Sequence, residues 1–298
     1  MTSAIADEFE SHRPRLFGLA YRLLGSAEEA EDTLQDAYLR FSGADRAGIE
    51  RLGAWLAKVV TNLCLTRLTS ARARRETYVG SWLPEPVVTS DGTLGPLESA
   101  EQRDAVSMAV LVLLERLTPT ERAVYVLREA FAYGYRAIAD VLDLSEANCR
   151  QLHRRAVQRV GEPESRFEAA PERREELVAS FVAAAREGDL SGLEKLLAAD
   201  ATWWSDGGGK VSAALRPVEG REKVIRFLLG AFEKWGRALR FTTVEVNGGT
   251  GVAMWAGEAG EALAALVTFD VRDGLIGDMR AVLNPDKLEF VRGQLAHS

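Results

Sequence analysis

The sequence is poor in cysteine and histidine, the residues that build disulfides and many metal sites. Its 298 residues include 2 cysteines and 3 histidines. Cys64 and Cys149 fall on different predicted helices, which favours buried thiols over a disulfide. His12, His153 and His297 are scattered along the chain and form no metal-ligand cluster. We therefore expect neither a metal nor another cofactor.

Long apolar runs are missing as well. No segment reaches the roughly 20 apolar residues that a membrane-spanning helix needs. The chain begins MTSAIADEFESHRPRLF, which lacks the basic-then-apolar order of a secretory signal. These absences predict a cytoplasmic protein that has no membrane partner.

Acidic residues are absent from two stretches of an otherwise acidic chain. The formal net charge is −7, which by itself argues against nucleic acid as a partner. Residues 51–75 and 147–161 nevertheless carry several basic residues and no acid. Local basic patches of this kind are typical of proteins that grip DNA at separate places. The acidic remainder predicts weak DNA binding by the chain alone, so a larger partner should do part of the holding.

Residues 118–160 have the pattern of a helix-turn-helix. Thr118, Pro119 and Glu121 predict a capping box at the start of one helix. A second helix is predicted over residues 135–142, and Ser145 caps a third after a tight turn. Apolar positions three and four residues apart give that third helix one buried face. Its remaining positions are polar or basic: Arg150, Gln151, His153, Arg154, Arg155, Gln158 and Arg159. They predict a recognition helix for the major groove, the alternative being a solvated basic helix in a bundle.

The other basic stretch, residues 51–75, is predicted to be a long helix. Its candidate DNA contacts are Trp55, Lys58, Asn62, Arg67, Arg72, Arg74 and Arg75. A basic helix with an aromatic residue near its start can bind phosphates and stack on unpaired bases. The alternative for Trp55 is a place in the core.

An acidic face precedes this helix along the chain. The segment AEEAEDTLQDAYLRF predicts an amphipathic helix whose polar side holds Glu31, Asp32, Gln35 and Asp36. From the pattern alone, an ordinary solvated face is the favoured interpretation.

Two linkers divide the chain. Residues 77–96 are rich in proline and glycine yet too apolar for a free tether, so we expect them to dock on another part of the protein. A helix over 97–115 follows. After a second linker at 163–171, the pattern predicts helices at 172–187, 190–198 and 221–235, with strands at 201–205, 211–216, 239–246, 251–257, 261–270 and 274–283. Hairpin turns are predicted at 247–249 and 272–274. This order indicates an α+β domain, followed by a short helix that begins near Asn284.

These residues resemble the extracytoplasmic-function (ECF) sigma factors of bacterial RNA polymerase. The resemblance to sigma region two rests on EDTLQDAYLRF and on the basic helix, and that to region four rests on LTPTERAVYVLREAF and the helix-turn-helix. The stretch REGDLSGLEKLLAADATWWSDGGGK is similar to SnoaL-like domains of the ketosteroid-isomerase-like fold. The resemblance implies a multidomain protein: region two at 1–76, a linker at 77–96, region four at 97–162, a linker at 163–171 and a SnoaL-like domain at 172–298. The first two domains would be all-α and the third an α+β cone.

A subgroup of these sigma factors carries such a C-terminal domain together with three short motifs, all of which occur here in the same order. Their residues are Trp82, Leu83, Pro84, Glu85 and Pro86, then Asp206, Gly207, Gly208, Gly209 and Lys210, then Asn284, Pro285, Asp286, Lys287 and Leu288. Our hypothesis is that the C-terminal domain packs near the first and third of these motifs, where it sets the relative positions of the two DNA-binding regions and so regulates the sigma factor in cis. This arrangement would replace a separate anti-sigma protein.

The resemblance assigns partners to the other surfaces. Asp32, Gln35 and Asp36 should dock on the clamp helices of the polymerase β′ subunit, which replaces the solvated-face interpretation, and region four should meet the β flap. Residues 55–75 should contact the −10 promoter element, where a flipped base must be held by stacking and phosphate contacts. Arg150, Arg154 and Arg155 are the foremost candidates for contacts to the −35 element.

The C-terminal domain leaves two interpretations open. Its fold hosts isomerases, but a ketosteroid-isomerase oxyanion hole uses a Tyr and a protonated Asp. Residues 172–298 contain no Tyr, which favours a regulator over an enzyme. A small ligand in the cone-shaped pocket is a further expectation. The alternative for the whole chain is a helix-turn-helix transcription regulator with a ligand-sensing or residually enzymatic C-terminal domain.

Overall fold

The chain forms two compact units in the computed structural model, which describes residues 2–45, 48–94, 105–161, 171–257 and 262–296. The first unit comprises residues 1–77 and 89–163, and the second comprises residues 78–88 and 164–298. Of the predicted linker at 163–171, only Pro171 is described, as the first residue of a helix.

Helices build the N-terminal part of the first unit, as predicted. They are α1 (Thr2–Glu10), α2 (Arg13–Leu24), α3 (Ala27–Ser42) and α4 (Leu52–Glu76). Gly25 ends α2 with a left-handed φ of 68°, and the Ser26 hydroxyl accepts the backbone N–H of Glu29 to cap α3. Burial raises the pKa of the Cys64 thiol to about 12, so this buried thiol stays protonated at neutral pH.

The second part of this unit is the predicted helix-turn-helix with one helix before it. Its helices are α5 (Met108–Leu114), α6 (Pro119–Glu129), α7 (Tyr135–Leu142) and α8 (Glu146–Val160). The capping box is confirmed: the Thr118 hydroxyl accepts the N–H of Glu121 at 3.3 Å, and the Glu121 carboxylate accepts the N–H of Thr118 at 3.1 Å. Asp143 makes the turn with a left-handed φ of 54°, and Ser145 caps α8.

The predicted helix over 97–115 is wrong at its described start. Residues 105–107 form a turn, and α5 begins only at Met108, where the Ser107 hydroxyl accepts the N–H of Val110. Because Ser107 caps α5, the helix begins after it and does not extend toward residue 97. A pattern of apolar residues alone does not predict this start. Residues 97–104 of this prediction lie outside the described residues.

A buried charge cluster joins the two parts of the first unit. Arg122 on α6 is 2% exposed, and it donates to Glu115 at 2.6 Å and to the carbonyl of Arg22 on α2 at 3.3 Å. Arg75 at the end of α4 pairs with the same glutamate and donates to the carbonyl of Leu24. Burial lowers the pKa of the Arg122 guanidinium to about 9, which still leaves it charged at neutral pH.

The second unit is an α+β domain. Its helices are α9 (Pro171–Glu187), α10 (Leu190–Leu196), α11 (Arg221–Trp235) and α12 (Pro285–Ala296). Its strands are β1 (Leu197–Asp206), β2 (Val218–Glu219), β3 (Arg240–Val246), β4 (Gly249–Ala256), β5 (Ala262–Arg272) and β6 (Leu275–Val282). The described strands form one six-stranded sheet in the order β2-β1-β6-β5-β4-β3.

Only the pairing of β1 with β6 is parallel among the described strand pairs. The two predicted hairpins are confirmed, because Asn247-Gly248 and Asp273-Gly274 all have the positive φ that tight two-residue turns require. One face of the sheet packs on α9 and α11 through a core that includes Phe181, Trp203 and Met279.

The predicted strand at 211–216 is wrong. These residues follow a turn in which the N–H of Lys210 donates to the carbonyl of Gly207. Val211 is 41% exposed and Leu215 is 65% exposed, so an extended segment here would bury no apolar face. A two-residue strand, β2, pairs with β1 instead.

Removing the shared glutamate of the buried charge cluster should destabilise the first unit. Glu115→Ala leaves Arg122 and Arg75 without their carboxylate, and we expect the free energy of unfolding to fall by about 3 kcal/mol. Glu146→Ala, which breaks an exposed pair with Arg150, should cost less than about 1 kcal/mol. Hydrogen exchange of the α4 and α6 amides measures the free energy of unfolding of both variants. Equal losses in the two variants would contradict the structural role of Glu115.

Candidate functional site

The basic face of α8 is exposed as the sequence predicts. Arg150, Gln151, Arg154, Arg155 and Arg159 are exposed, while Cys149 and Ala156 are fully buried on the opposite side. Within the described residues, Arg154 and Arg155 make no hydrogen bond or ion pair with other protein groups. Two guanidinium groups on adjacent positions are therefore available to a nucleic acid.

Three other predicted contacts on α8 already have protein partners. Arg150 pairs with Glu146 at 2.7 Å, and Arg159 pairs with the capping-box residue Glu121. His153 is only 16% exposed at its side chain, and its Nε2 lies 2.9 Å from the carboxylate of Glu129. His153 is therefore part of the packing between helices rather than a freely displayed side chain.

The long helix α4 presents only some of its predicted contacts. Trp55 is partly buried, and its ring centroid lies 6.2 Å from that of the buried Phe41. Lys58 donates to the carbonyl of Asp140 at 2.8 Å and pairs with Asp143 at 2.7 Å, so it is bound to the turn of the helix-turn-helix. Asn62 is partly exposed.

The arginines near the end of α4 differ in their surroundings. Arg67 pairs with Asp36 at 2.7 Å and lies 3.6 Å from Asp32. Arg75 belongs to the buried charge cluster with Glu115 rather than to an exposed face. Arg72 and Arg74 lie on the last turns of the helix, and their side chains are outside the described residues.

The acidic face of α3 contains an apolar residue that the sequence analysis missed. Asp32 and Gln35 are exposed and Asp36 is partly exposed. Leu39, one turn further along the same face, is 66% exposed. The spacing 32, 35, 36 and 39 is the signal that could have placed Leu39 with the acids. The polar face of α3 thus combines exposed acidic and polar side chains with one exposed apolar side chain.

The second unit contains a built polar site, which we call the linker clasp: Asp206, Lys287, Tyr78, Leu83 and Asn284. Asp206, at the end of β1, is fully buried. Its carboxylate accepts from the Tyr78 hydroxyl at 2.5 Å, the Leu83 N–H at 2.8 Å and the Lys287 ammonium at 2.7 Å. The three short motifs therefore meet at one carboxylate.

Lys287 fastens the linker from the other side. Its ammonium also donates to the carbonyl of Leu83 at 2.5 Å and lies 4.2 Å from the ring centroid of Trp82 and 4.8 Å from that of Tyr78. Such cation–π contacts gain strength where water is excluded, and Lys287 is 8% exposed at its side chain. Burial, and then the bond to Asp206, raise the pKa of the Tyr78 hydroxyl.

The third motif explains why α12 begins where it does. Asn284 accepts the N–H of Asp286 as an N-cap, and Pro285 takes the first helical position. The Asn284 amide also donates to the Tyr78 hydroxyl at 2.9 Å, and Leu288 packs in the core of the unit. The cap thus presents Lys287 to Asp206.

Glycine is required next to Asp206. A side chain at Gly208, which has a φ of 58°, would collide with the Asn284 amide and come within 2.9 Å of the Tyr78 hydroxyl. At Gly207 it would meet the carbonyl of Val211 at 2.7 Å, and at Gly209 the side chain of Val79 at 3.3 Å. The backbone of these glycines thus lies too close to neighbouring groups for larger residues, whereas Lys210 pairs with Asp286 at an exposed position.

Residues 84–88 of the predicted linker are packed into the same unit, whereas its described residues from Thr89 onward belong to the first unit. Residues 83–88 are buried, including Pro84, Glu85 and Pro86. Val87 exchanges hydrogen bonds with Asn247, accepting from its N–H at 2.9 Å and donating to its side-chain oxygen at 3.3 Å. Val88 exchanges hydrogen bonds with the side chain of Gln294. Residues 78–88 are thus a structural part of the second unit.

This arrangement corrects one step of the sequence argument. Residues 172–298 contain no Tyr, but the linker supplies Tyr78 to the same unit and places its hydroxyl on Asp206. The carboxylate is already occupied by three donors and is closed off from solvent. The geometry is that of a fastened structural carboxylate rather than of a base poised for substrate.

Among the described residues, none of the helices combines the length and apolarity that crossing a bilayer requires.

Comparisons with known proteins match all three parts of the chain. The Sigma-70 region 2 model matches residues 9–74, and the Sigma-70, region 4 model matches residues 107–160. The SnoaL-like domain model matches residues 178–279.

Individual relatives cover most of the chain. The ECF RNA polymerase sigma factor SigJ of Mycobacterium tuberculosis is 40% identical over 288 residues, which span 94% of this chain and 92% of the relative. The probable ECF RNA polymerase sigma factor SigI of the same species is 32% identical over 195 residues, or 65% of this chain and 67% of the relative. The crystal structure of M. tuberculosis SigJ has a TM-score of 0.73 and 35% identity, and the match covers 95% of this chain and 98% of that one. With sigma regions 2 and 4 in place and a relative of this identity over nearly its whole length, the chain belongs to the ECF RNA polymerase sigma factors.

Proposed function

We propose that this sigma factor binds core RNA polymerase in the cytoplasm, directs it to promoters, and is regulated in cis by its SnoaL-like unit. The observation that carries the regulatory part is the linker clasp. The segment between the two sigma regions is fastened inside the C-terminal unit by a buried carboxylate and a buried ammonium. A change that disrupts the C-terminal unit would therefore also release this segment. The relative positions of the two DNA-binding regions depend on the same segment.

The polymerase surface in this proposal is the acidic face of α3. Asp32, Gln35 and Asp36 would meet the clamp helices of β′, with Leu39 as an apolar contact at the end of the same face, and region four would meet the β flap. Charge complementarity of this kind guides association, while a desolvated apolar side chain adds affinity. Arg67 holds Asp36 in place on the free protein.

The promoter surfaces are α4 and α8. Arg154 and Arg155 are the readiest contacts to the −35 element, since no protein group in the described residues engages them. Lys58 pairs with Asp143 in this structure, so it would leave that partner to reach the −10 element. Such an exposed pair is weak enough to exchange for a phosphate. Trp55 would act mainly through packing.

Regulation in cis would take the place of a separate anti-sigma protein. The C-terminal unit supplies in one chain the hold on the linker that a second protein would otherwise provide. We do not extend the proposal to catalysis, because the buried Asp206 is occupied by three donors. A small ligand in the cone-shaped pocket stays a prediction.

The competing function is a helix-turn-helix regulator that binds DNA without polymerase. Purified protein should be assayed on the promoter upstream of its own gene, with and without core polymerase. The sigma function predicts weak binding alone and specific initiation once the core enzyme is added. Specific binding without polymerase, together with no transcript when core is present, would establish the regulator instead.

Arg155→Ala should weaken promoter binding by the holoenzyme roughly tenfold or more, equivalent to about 1–3 kcal/mol if the arginine reads a base. A base contact predicts relaxed specificity at one −35 position, whereas a phosphate contact predicts a uniform loss and a smaller salt dependence. Arg226→Ala removes the same charge from an exposed position on α11 and should change neither. Promoter affinity measured at several salt concentrations distinguishes a base contact from a phosphate contact. Wild-type affinity of Arg155→Ala would show that Arg155 does not contact the promoter.

Leu39→Ala should weaken binding to core polymerase about tenfold, because truncating an apolar side chain that becomes desolvated in an interface costs about 1–2 kcal/mol. The fold should not change, since Leu39 is 66% exposed. Leu190→Ala, at a position that is 57% exposed on α10, is the matched control and should bind core normally. Fluorescence anisotropy of labelled sigma factor with core enzyme measures both. Unchanged affinity for Leu39→Ala would take this residue out of the polymerase surface.

Lys287→Met should release the linker, because it leaves Asp206 as a buried carboxylate without its cation. We expect faster hydrogen exchange at the amides of Leu83, Glu85, Val87 and Val88 and a several-fold rise in polymerase-dependent transcript. Deleting residues 284–298 should have the same effect. Lys210→Met breaks only an exposed pair and is the control. Faster exchange without any change in transcription would mean that the clasp is structural and not regulatory.

A further inference from the structure

Tyr135, the first residue of α7, lies at the centre of a group of side chains that faces the recognition helix. The guanidinium carbon of Arg150 on α8 lies 5.3 Å from the centroid of its ring, and that of Arg128 on α6 lies 4.9 Å away. The Tyr135 hydroxyl is 3.1 Å from Nδ1 of His153, also on α8. One aromatic side chain therefore contacts both neighbouring helices of the helix-turn-helix.

We infer that Tyr135 is a positioning residue for promoter recognition, which holds Arg150 in the orientation that meets the −35 element. This inference rests on the proposed DNA-binding role of Arg150. Tyr135 itself is only partly exposed and is not among the side chains that the motif pattern selects for DNA contact.

The side chain of Arg150 is held in place by two neighbours on the free protein. Its side chain is 56% exposed, and a long exposed side chain loses rotamer freedom when it binds. Glu146 fixes one edge of the guanidinium at 2.7 Å, and the ring of Tyr135 lies beneath it within cation–π distance. A guanidinium that is oriented before the DNA arrives pays less ordering entropy on binding.

The ring is itself fixed by a chain of hydrogen bonds. Nε2 of His153 lies 2.9 Å from the Glu129 carboxylate, which only accepts, so Nε2 carries the proton. Nδ1, on the other side of the ring, is hydrogen-bonded to the Tyr135 hydroxyl at 3.1 Å. The chain Tyr135–His153–Glu129 thus ties the start of α7 to α8 and to the end of α6. We therefore expect His153 to act by holding Tyr135 in place rather than by contacting DNA, which agrees with its low exposure.

A double-mutant cycle on the holoenzyme tests the inference. The variants are Tyr135→Leu, Arg150→Ala and both together, and the measurement is affinity for promoters with each −35 base changed in turn. We expect Tyr135→Leu to weaken binding three- to tenfold and to relax the same base position as Arg150→Ala. In the Arg150→Ala background the effect of Tyr135→Leu should shrink to less than twofold, because the two residues act as a unit.

The controls separate positioning from folding. Tyr135→Phe keeps the ring and should retain most of the affinity, and Tyr133→Leu removes a neighbouring tyrosine that does not contact Arg150. If Tyr135→Leu disturbs the fold, phenylalanine with increasing ring fluorination at position 135 weakens the cation–π contact without changing the shape. Affinity should then fall stepwise with fluorination, and only while Arg150 is present.

The results test the positioning role of Tyr135 separately from the DNA contact of Arg150. An effect of Tyr135→Leu that is equally large with and without Arg150 overturns the positioning role, while Arg150 keeps its place in the interface. Normal promoter affinity of Arg150→Ala overturns the proposed contact of Arg150 itself, and with it the inference.

Discussion

The buried pair of Asp206 and Lys287 is the interaction on which the organisation of this sigma factor depends. Two opposite charges out of water are stable only if each also satisfies its remaining hydrogen bonds. Here Tyr78 and the backbone of Leu83 provide the remaining hydrogen bonds of the buried pair. The linker is therefore required to satisfy Asp206 and Lys287. The requirement explains why three short motifs, far apart along the chain, occur together.

The first unit uses charge in a similar way but with a different consequence. Its two helical parts are joined by Glu115 with two arginines and by the pair of Lys58 with Asp143. A polar joint of this kind loses less on separation than an apolar one, because its charges regain water when the parts move away. Lys58 belongs both to this joint and to the surface proposed for promoter DNA, so under that proposal a DNA contact of Lys58 would require the pair with Asp143 to break.

The sequence predicts well what neighbouring residues determine and poorly what distant ones determine. The capping box at Thr118, the turn at Asp143 and the basic face of α8 follow from local chemistry, and all are found. The pairing of Arg67 with Asp36 and the burial of Arg75 depend on packing between helices, which no local pattern contains. The wrong strand at 211–216 has the same origin, because a strand forms only where a partner and a buried face are available.

The linker also closes the sheet of the C-terminal unit. The strand β3 lies at one end of the strand order, and Val88 makes a single bridge to Val246 at its end. Edge strands with free backbone groups invite pairing with other chains. A form of the protein with its linker released would expose that end of β3, and under the proposed regulation in cis this released form would be more prone to self-association than the clasped form. Regulation and protection against aggregation would then be two effects of the same eleven-residue segment, residues 78–88.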